Sequence, residues 1–173
     1  MRVRLPSAKV RPPGLRRAGA YSLTELVITI SIMSVLASVV ILSMNSAFTA
    51  SMETLAIERM EMLNHSLNRW SAANNEMVFI RRDDSTADEL KVLRDLQYRN
   101  PNEALASFGS PFVAPEYNPP TSSSTQDYRI RWNGRNYELL RPGEAGSGLL
   151  MVYDGSDYTK PFQFPENYQS SGR

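Results

Sequence analysis

The chain has no cysteine in its 173 residues. Disulfides, thiolate metal sites and cysteine nucleophiles are therefore excluded. Histidine occurs once, at His65. With no second histidine and no thiolate, it gives little from which to build a metal or nucleophilic site, and it fits a solvated helix residue. No Ser/His/Asp set, Cys/His set or phosphate-cradling glycine loop is present, which points away from an enzyme. Acid is missing from residues 1–20, which carry Arg2, Arg4, Lys9, Arg11, Arg16 and Arg17. Charge of either sign is missing from the 19 residues between Leu26 and Met44. Proline and glycine are missing from residues 21–79, so nothing there interrupts a helix.

What is present follows from those gaps. Nineteen uncharged residues at about 1.5 Å per residue cover roughly the ~30 Å hydrocarbon layer of a bilayer. The basic stretch before them belongs on the cytoplasmic side, which sends the C-terminal part across the membrane. Pro6, Pro12, Pro13 and Gly14 mark residues 1–20 as an unfolded leader, outside the fold. Net charge divides accordingly. Residues 1–20 contribute +6 of the overall +1, leaving 13 bases against 18 acids, or −5, from Tyr21 onward. A mildly acidic body argues against nucleic acid as its partner. Glu25 stands at the mouth of the apolar run, where a carboxylate must find a cation, reach water or lose its charge.

The junction reads Gly19-Ala20-Tyr21-Ser22-Leu23-Thr24-Glu25-Leu26 and runs straight into the apolar helix. A small pair, an aromatic, Ser-Leu-Thr-Glu-Leu and an apolar helix together resemble the N-terminus of type IV pilins and the pseudopilins of type II secretion. The likeness covers about residues 16–42. It implies cleavage of the leader by a membrane prepilin peptidase, N-methylation of the new terminus at Tyr21, and an assembly role for Glu25 at mature position five. Ala20 stands where the family normally has glycine. The cut therefore falls after Ala20, or after Gly19, which would move Glu25 to position six. Ser34 and Leu42 occupy places where the family often carries glycine and proline. The lack of cysteine removes the C-terminal disulfide of many adhesive pilins and favours a pseudopilin. The resemblance implies as partners the peptidase and methylase, other filament subunits, an inner-membrane assembly platform and the membrane, with no cofactor. Two simpler readings compete. A secretory signal peptide has an apolar core of about 7–15 residues, shorter than this one. A plain signal anchor for an unrelated envelope domain needs neither Glu25 nor the Tyr-Ser-Leu-Thr lead-in.

Past Met44 the period turns amphipathic. Met52, Leu55, Ala56, Met60, Leu63, Leu67 and Trp70 form a stripe, with Glu53, Glu58, Arg59, Glu61, Asn64, Asn68 and Arg69 between them. One helix is predicted from about Ser22 to Ala73. Asn74, Asn75 and Arg81-Arg82-Asp83-Asp84 predict a solvated loop. Thr86 and Glu89 have capping-box spacing before a short helix over 87–97. Asn100-Pro101 opens a further turn. Residues 109–126, rich in proline and serine, predict a long loop, functional or mobile. Asn133-Gly134 between alternating runs predicts a two-residue hairpin with both turn residues at positive φ. That turn would pair Trp132 with Arg135, Ile130 with Tyr137, Arg129 with Glu138 and Tyr128 with Leu139. Leu149–Tyr153 predicts a third strand, and the tail to Arg173, with Ser170-Ser171-Gly172, an irregular end. Asp154 and Asp157 are weak calcium candidates beside the plainer reading of an acidic turn.

The expected class is α+β and pilin-like: a long N-terminal helix, transmembrane in its first half, packed on a small antiparallel sheet. The expected division is leader 1–20, membrane and assembly segment 21–44, and periplasmic body 45–173. The expected function is a structural filament subunit, a pseudopilin. The alternatives are a type IV pilin for adhesion, motility or DNA uptake, and a bitopic anchor for a binding or enzymatic domain.

Overall fold

The computed structural model describes residues 21–79 and 88–168. The leader with Gly19 and Ala20, the Arg81–Asp84 run, Thr86 and the Ser170–Gly172 tail lie outside the described residues. The layout is α+β, with a long N-terminal helix and a four-stranded antiparallel sheet. The first helix, α1, spans Leu23–Asn74 in 52 residues, as its freedom from proline and glycine dictates. The chain divides into two units between Asn45 and Ser46.

In the first unit, α1 is long and apolar enough to cross a membrane, and its apolar window has no buried residue. Its polar side chains are satisfied within the helix. Ser31, Ser34 and Ser38 each donate a hydroxyl to the carbonyl four residues back, at 2.8 Å, and Thr29 donates to Leu26 O at 2.9 Å. Hydroxyls bonded this way carry no unpaired polar group into an apolar surrounding.

The second unit holds the rest. α2 covers Glu89–Gln97, and a single 3-10 turn follows at Glu103–Leu105. The strands are β1 (Thr121–Ser122), β2 (Arg129–Trp132), β3 (Tyr137–Leu140) and β4 (Gly148–Leu150), in the order β1-β4-β2-β3. The core joins Leu63, Leu67 and Trp70 of α1 to Val92, Leu93 and Leu96 of α2 and to Ile130, Tyr137 and Leu149 of the sheet. Each buried aliphatic side chain contributes about 1.5–3 kcal/mol. Leu55 departs from the predicted stripe and is exposed. Ser66 is buried in the helix instead, its hydroxyl donated to Met62 O.

The caps differ from the predicted ones. Asp88, not Thr86, caps α2 and accepts from Lys91 N at 2.8 Å. Asn102, not Asn100, caps the 3-10 turn. In both places an Asx side chain two or three residues from the first free N–H satisfies it directly. The stretch 109–126 is not an unattached loop. It contains β1, and the buried amide of Gln97 donates to Ala114 O and Tyr117 O at 2.9 and 2.6 Å. The last described residues, up to Tyr168, are irregular but packed. Phe164 stacks against Tyr98 and Tyr168, and the Tyr168 hydroxyl bonds Asp95 at 2.5 Å.

The hairpin corrects the predicted register by two residues. Trp132 faces Tyr137, Arg131 faces Glu138, Ile130 faces Leu139 and Arg129 faces Leu140. The loop is four residues long because the Asn133 side chain accepts from both Arg135 N and Asn136 N, at 2.9 and 2.8 Å. Among the described residues of this turn only Gly134 has positive φ, at 94°. An even shift keeps every side chain on its predicted face, so Tyr128, Ile130, Tyr137 and Leu139 still point together. The ion pair moves, however. Arg131, not Arg129, meets Glu138, at 3.1 Å. Arg129 is fully buried and donates to the carbonyls of Glu144 and Gly146. β4 comes close enough to β2 that a side chain on Gly148 would meet Ile130 O at 2.8 Å. Gly134→Val is expected to cost about 1–3 kcal/mol, because a β-branched residue is strained at that φ. Thermal unfolding of the detergent-solubilised protein checks it, and an unchanged midpoint would contradict the turn.

β3 is an edge strand, and α1 closes it. The Asn64 amide donates to Tyr137 O at 2.9 Å and accepts from Tyr137 N at 2.8 Å, so a side chain stands in for the missing neighbour strand. The Tyr137 hydroxyl donates to Glu89 O at 3.0 Å, and burial holds its pKa well above the ordinary tyrosine value. Asn64→Ala leaves one backbone donor and one acceptor unpaired and should cost about 2–3 kcal/mol. The readout is a midpoint lowered by several degrees together with faster amide exchange at Tyr137.

Candidate functional site

Two places hold the residues singled out from the sequence. The first is the start of α1. Tyr21 precedes the helix with its ring exposed. Ser22 and Glu25 bond reciprocally. Ser22 Oγ accepts from Glu25 N at 3.2 Å, and a Glu25 carboxylate oxygen accepts from Ser22 N at 3.1 Å. This is a capping box, and Ser-x-x-Glu is its sequence signature, legible in Ser22-Leu23-Thr24-Glu25 but overlooked there. It satisfies donors that the helix start leaves open and sets a carboxylate at the positive end of the helix dipole. Glu25 therefore has a local task within one chain, and it lies at the surface of its unit, where a cation could reach it.

The second place is the turn after β4. Asp154 and Asp157 have different surroundings. Asp154 is exposed and accepts from Ser156 N at 2.9 Å, a bond that lowers its pKa. Asp157 is buried, only 1% exposed, and meets Arg59 of α1 at 3.5 Å. The Arg59 guanidinium also bonds the Tyr158 hydroxyl and lies against two rings that touch each other, 4.9 Å from the centre of Tyr117 and 5.0 Å from that of Tyr158, the ring centres being 5.4 Å apart. Burial raises the pKa of Tyr117, which keeps that ring neutral beside the cation. The cation facing Asp157 is thus a side chain of the protein itself. Nothing local in the sequence pairs Arg59 with Asp157, which lies 98 positions further on. Among the described residues no group of three or more His, Asp and Glu side chains is placed to hold a metal ion. His65 is exposed on α1.

No protein-family model, curated protein or solved structure matches this chain.

Proposed function

We propose that the chain is a structural filament subunit, a pseudopilin of a type II secretion-like system. It is processed by a prepilin peptidase and assembled through the first half of α1. The observation that carries this reading is one carboxylate, Glu25, three residues into a helix whose next 19 residues have no ionisable side chain, directly behind a small-aromatic junction and a basic leader. The long apolar helix and the small antiparallel sheet of the body support it. In this reading the leader is cytoplasmic, the segment 21–44 crosses the inner membrane and the body is periplasmic. The partners are the peptidase and methylase, other subunits and an assembly platform.

One observation favours a second reading, a bitopic anchor for an envelope domain. The Ser22–Glu25 box explains Glu25 without any assembly role. Intact mass and N-terminal peptide analysis of membrane-extracted protein separates the two. The filament reading expects a mature chain that begins at Tyr21, or at Ala20 if the cut follows Gly19, and carries a methylated amine. An intact leader in cells with an active prepilin peptidase would sink it.

A further inference from the structure

Two clefts in the body are alike in size and opposite in charge. The first, about 460 Å³, lies between α1 and the turn after β4. Met62 and Met151 give it an apolar lining, and Leu55 and Glu58 border it from α1. It holds two acids, Glu58 and Asp157, against one base, Arg59, which Asp157 already engages. The second, about 450 Å³, lies beside the last turns of α1. Met77 and Val78 line it, with Arg135 as its one base and no acid. Neither Glu58 nor Arg135 has an ion-pair partner among the described residues. Met77 is 97% exposed, and Leu55 is 47% exposed.

We propose that these clefts mate head to tail between copies of this chain, with Met77 and Arg135 of one copy seated against Leu55 and Glu58 of the next. Charge complementarity selects a second copy as the occupant. Beyond the Arg59–Asp157 pair the first cleft offers an acid and no base, the second offers a base and no acid, and both offer flexible methionines that pack against irregular apolar surfaces and tyrosine edges. A single molecule cannot close the contact on itself. The first cleft borders α1 around Glu58 and the second around Asn68, about 15 Å further along the axis. A two-fold contact through one cleft alone would set Glu58 against Glu58 or Arg135 against Arg135, and a two-fold contact through both clefts would close as a dimer. The head-to-tail contact is heterologous and repeats beyond two copies into a ring or an open filament, so species larger than a dimer distinguish it from the reciprocal pair. This rests on the filament reading for its setting, and adds to it a contact through the bodies rather than through the apolar half of α1.

The absence of cysteine makes the test clean. Leu55→Cys and Met77→Cys are introduced together into the full chain in its native membranes, and mild oxidation is applied. A ladder of disulfide-linked dimers, trimers and higher species is expected, with no ladder from either single variant. Adding Glu58→Arg should weaken the ladder several-fold, and adding Arg135→Glu in the same chain should restore it. A double-cysteine chain that stays monomeric overturns the contact. So does an equally strong dimer from Met77→Cys alone, a crosslink from Leu55→Cys to a different protein, or a loss with Glu58→Arg that the second change fails to rescue. N-terminal analysis of the same sample separates the two claims. A removed leader without a ladder removes only this contact, whereas an intact leader with a ladder removes the filament reading and leaves the contact standing.

Discussion

Glu25→Gln is expected to be cleaved and inserted like the parent chain and yet to assemble poorly. On the filament reading the apolar half of α1 would leave lipid and pack among the corresponding helices of other subunits. A carboxylate there needs a partner, and the freed amine of an adjacent subunit, cationic near neutral pH, supplies one. The two attract strongly in a low-dielectric bundle, while either left alone is penalised by several kcal/mol. The pair favours one axial stagger between neighbours. The capping box makes the choice of variant decisive. Glutamine keeps the reciprocal bond with Ser22, since Gln serves at that position as Glu does, and removes only the charge. Alanine removes both, and its loss of the cap costs the helix start about 0.5–2 kcal/mol. Crosslinking or pull-down with the other subunits, beside a check of leader removal, gives the readout. Assembly lost in both variants assigns the role to the charge. Assembly lost only with alanine assigns it to the cap. Wild-type assembly in both leaves Glu25 as a local cap and strengthens the anchor reading.

The long helix could be read from the sequence because its evidence is local and abundant. Fifty residues without proline or glycine, apolar first and amphipathic after, leave one structure open. The faces of the hairpin were equally legible, since alternation depends only on parity. Its register was not, because loop length turned on whether the Asn133 side chain would bond its own backbone or leave the turn to two residues at positive φ. Glu25 is visible as an anomaly at the edge of an apolar run, and its bond to Ser22 is encoded in the Ser-x-x-Glu spacing. Arg59 could not have been assigned to Asp157 at all. Its partner, its two tyrosine rings and its burial all come from distant parts of the chain, and side chains brought together by tertiary packing leave no periodic trace. The same applies to Arg129, which alternation pairs with Glu138 but which is buried and held by the carbonyls of Glu144 and Gly146 in the connection after β3.

Arg59→Met should be strongly destabilising. Methionine roughly matches the aliphatic stem and can pack against the Tyr117 and Tyr158 rings, so packing is largely kept. What is lost is the cation. Asp157 is then left buried with its carboxylate uncompensated, and one of its oxygens, Oδ1, already has no hydrogen-bond partner. Breaking a fully buried pair by removing one member costs about 3–5 kcal/mol, most of it the penalty of the charge that remains. Asp157 is buried but the Arg59 side chain is 24% exposed, so that range is an upper bound here. If that is the origin of the loss, Asp157→Asn added to Arg59→Met should recover much of it, because a neutral amide of the same shape needs no counter-charge. Arg59→Lys should fall between, since an ammonium keeps the charge but loses the planar stacking and the fork of donors. Thermal unfolding of the four proteins forms a double-mutant cycle with the lysine variant beside it. A double variant as unstable as the sum of the singles would mean that Arg59 stabilises the body through the tyrosine rings and not through Asp157. Recovery in the double variant would establish that an internal guanidinium, reaching from α1, neutralises the turn after β4 and ties that turn to the helix.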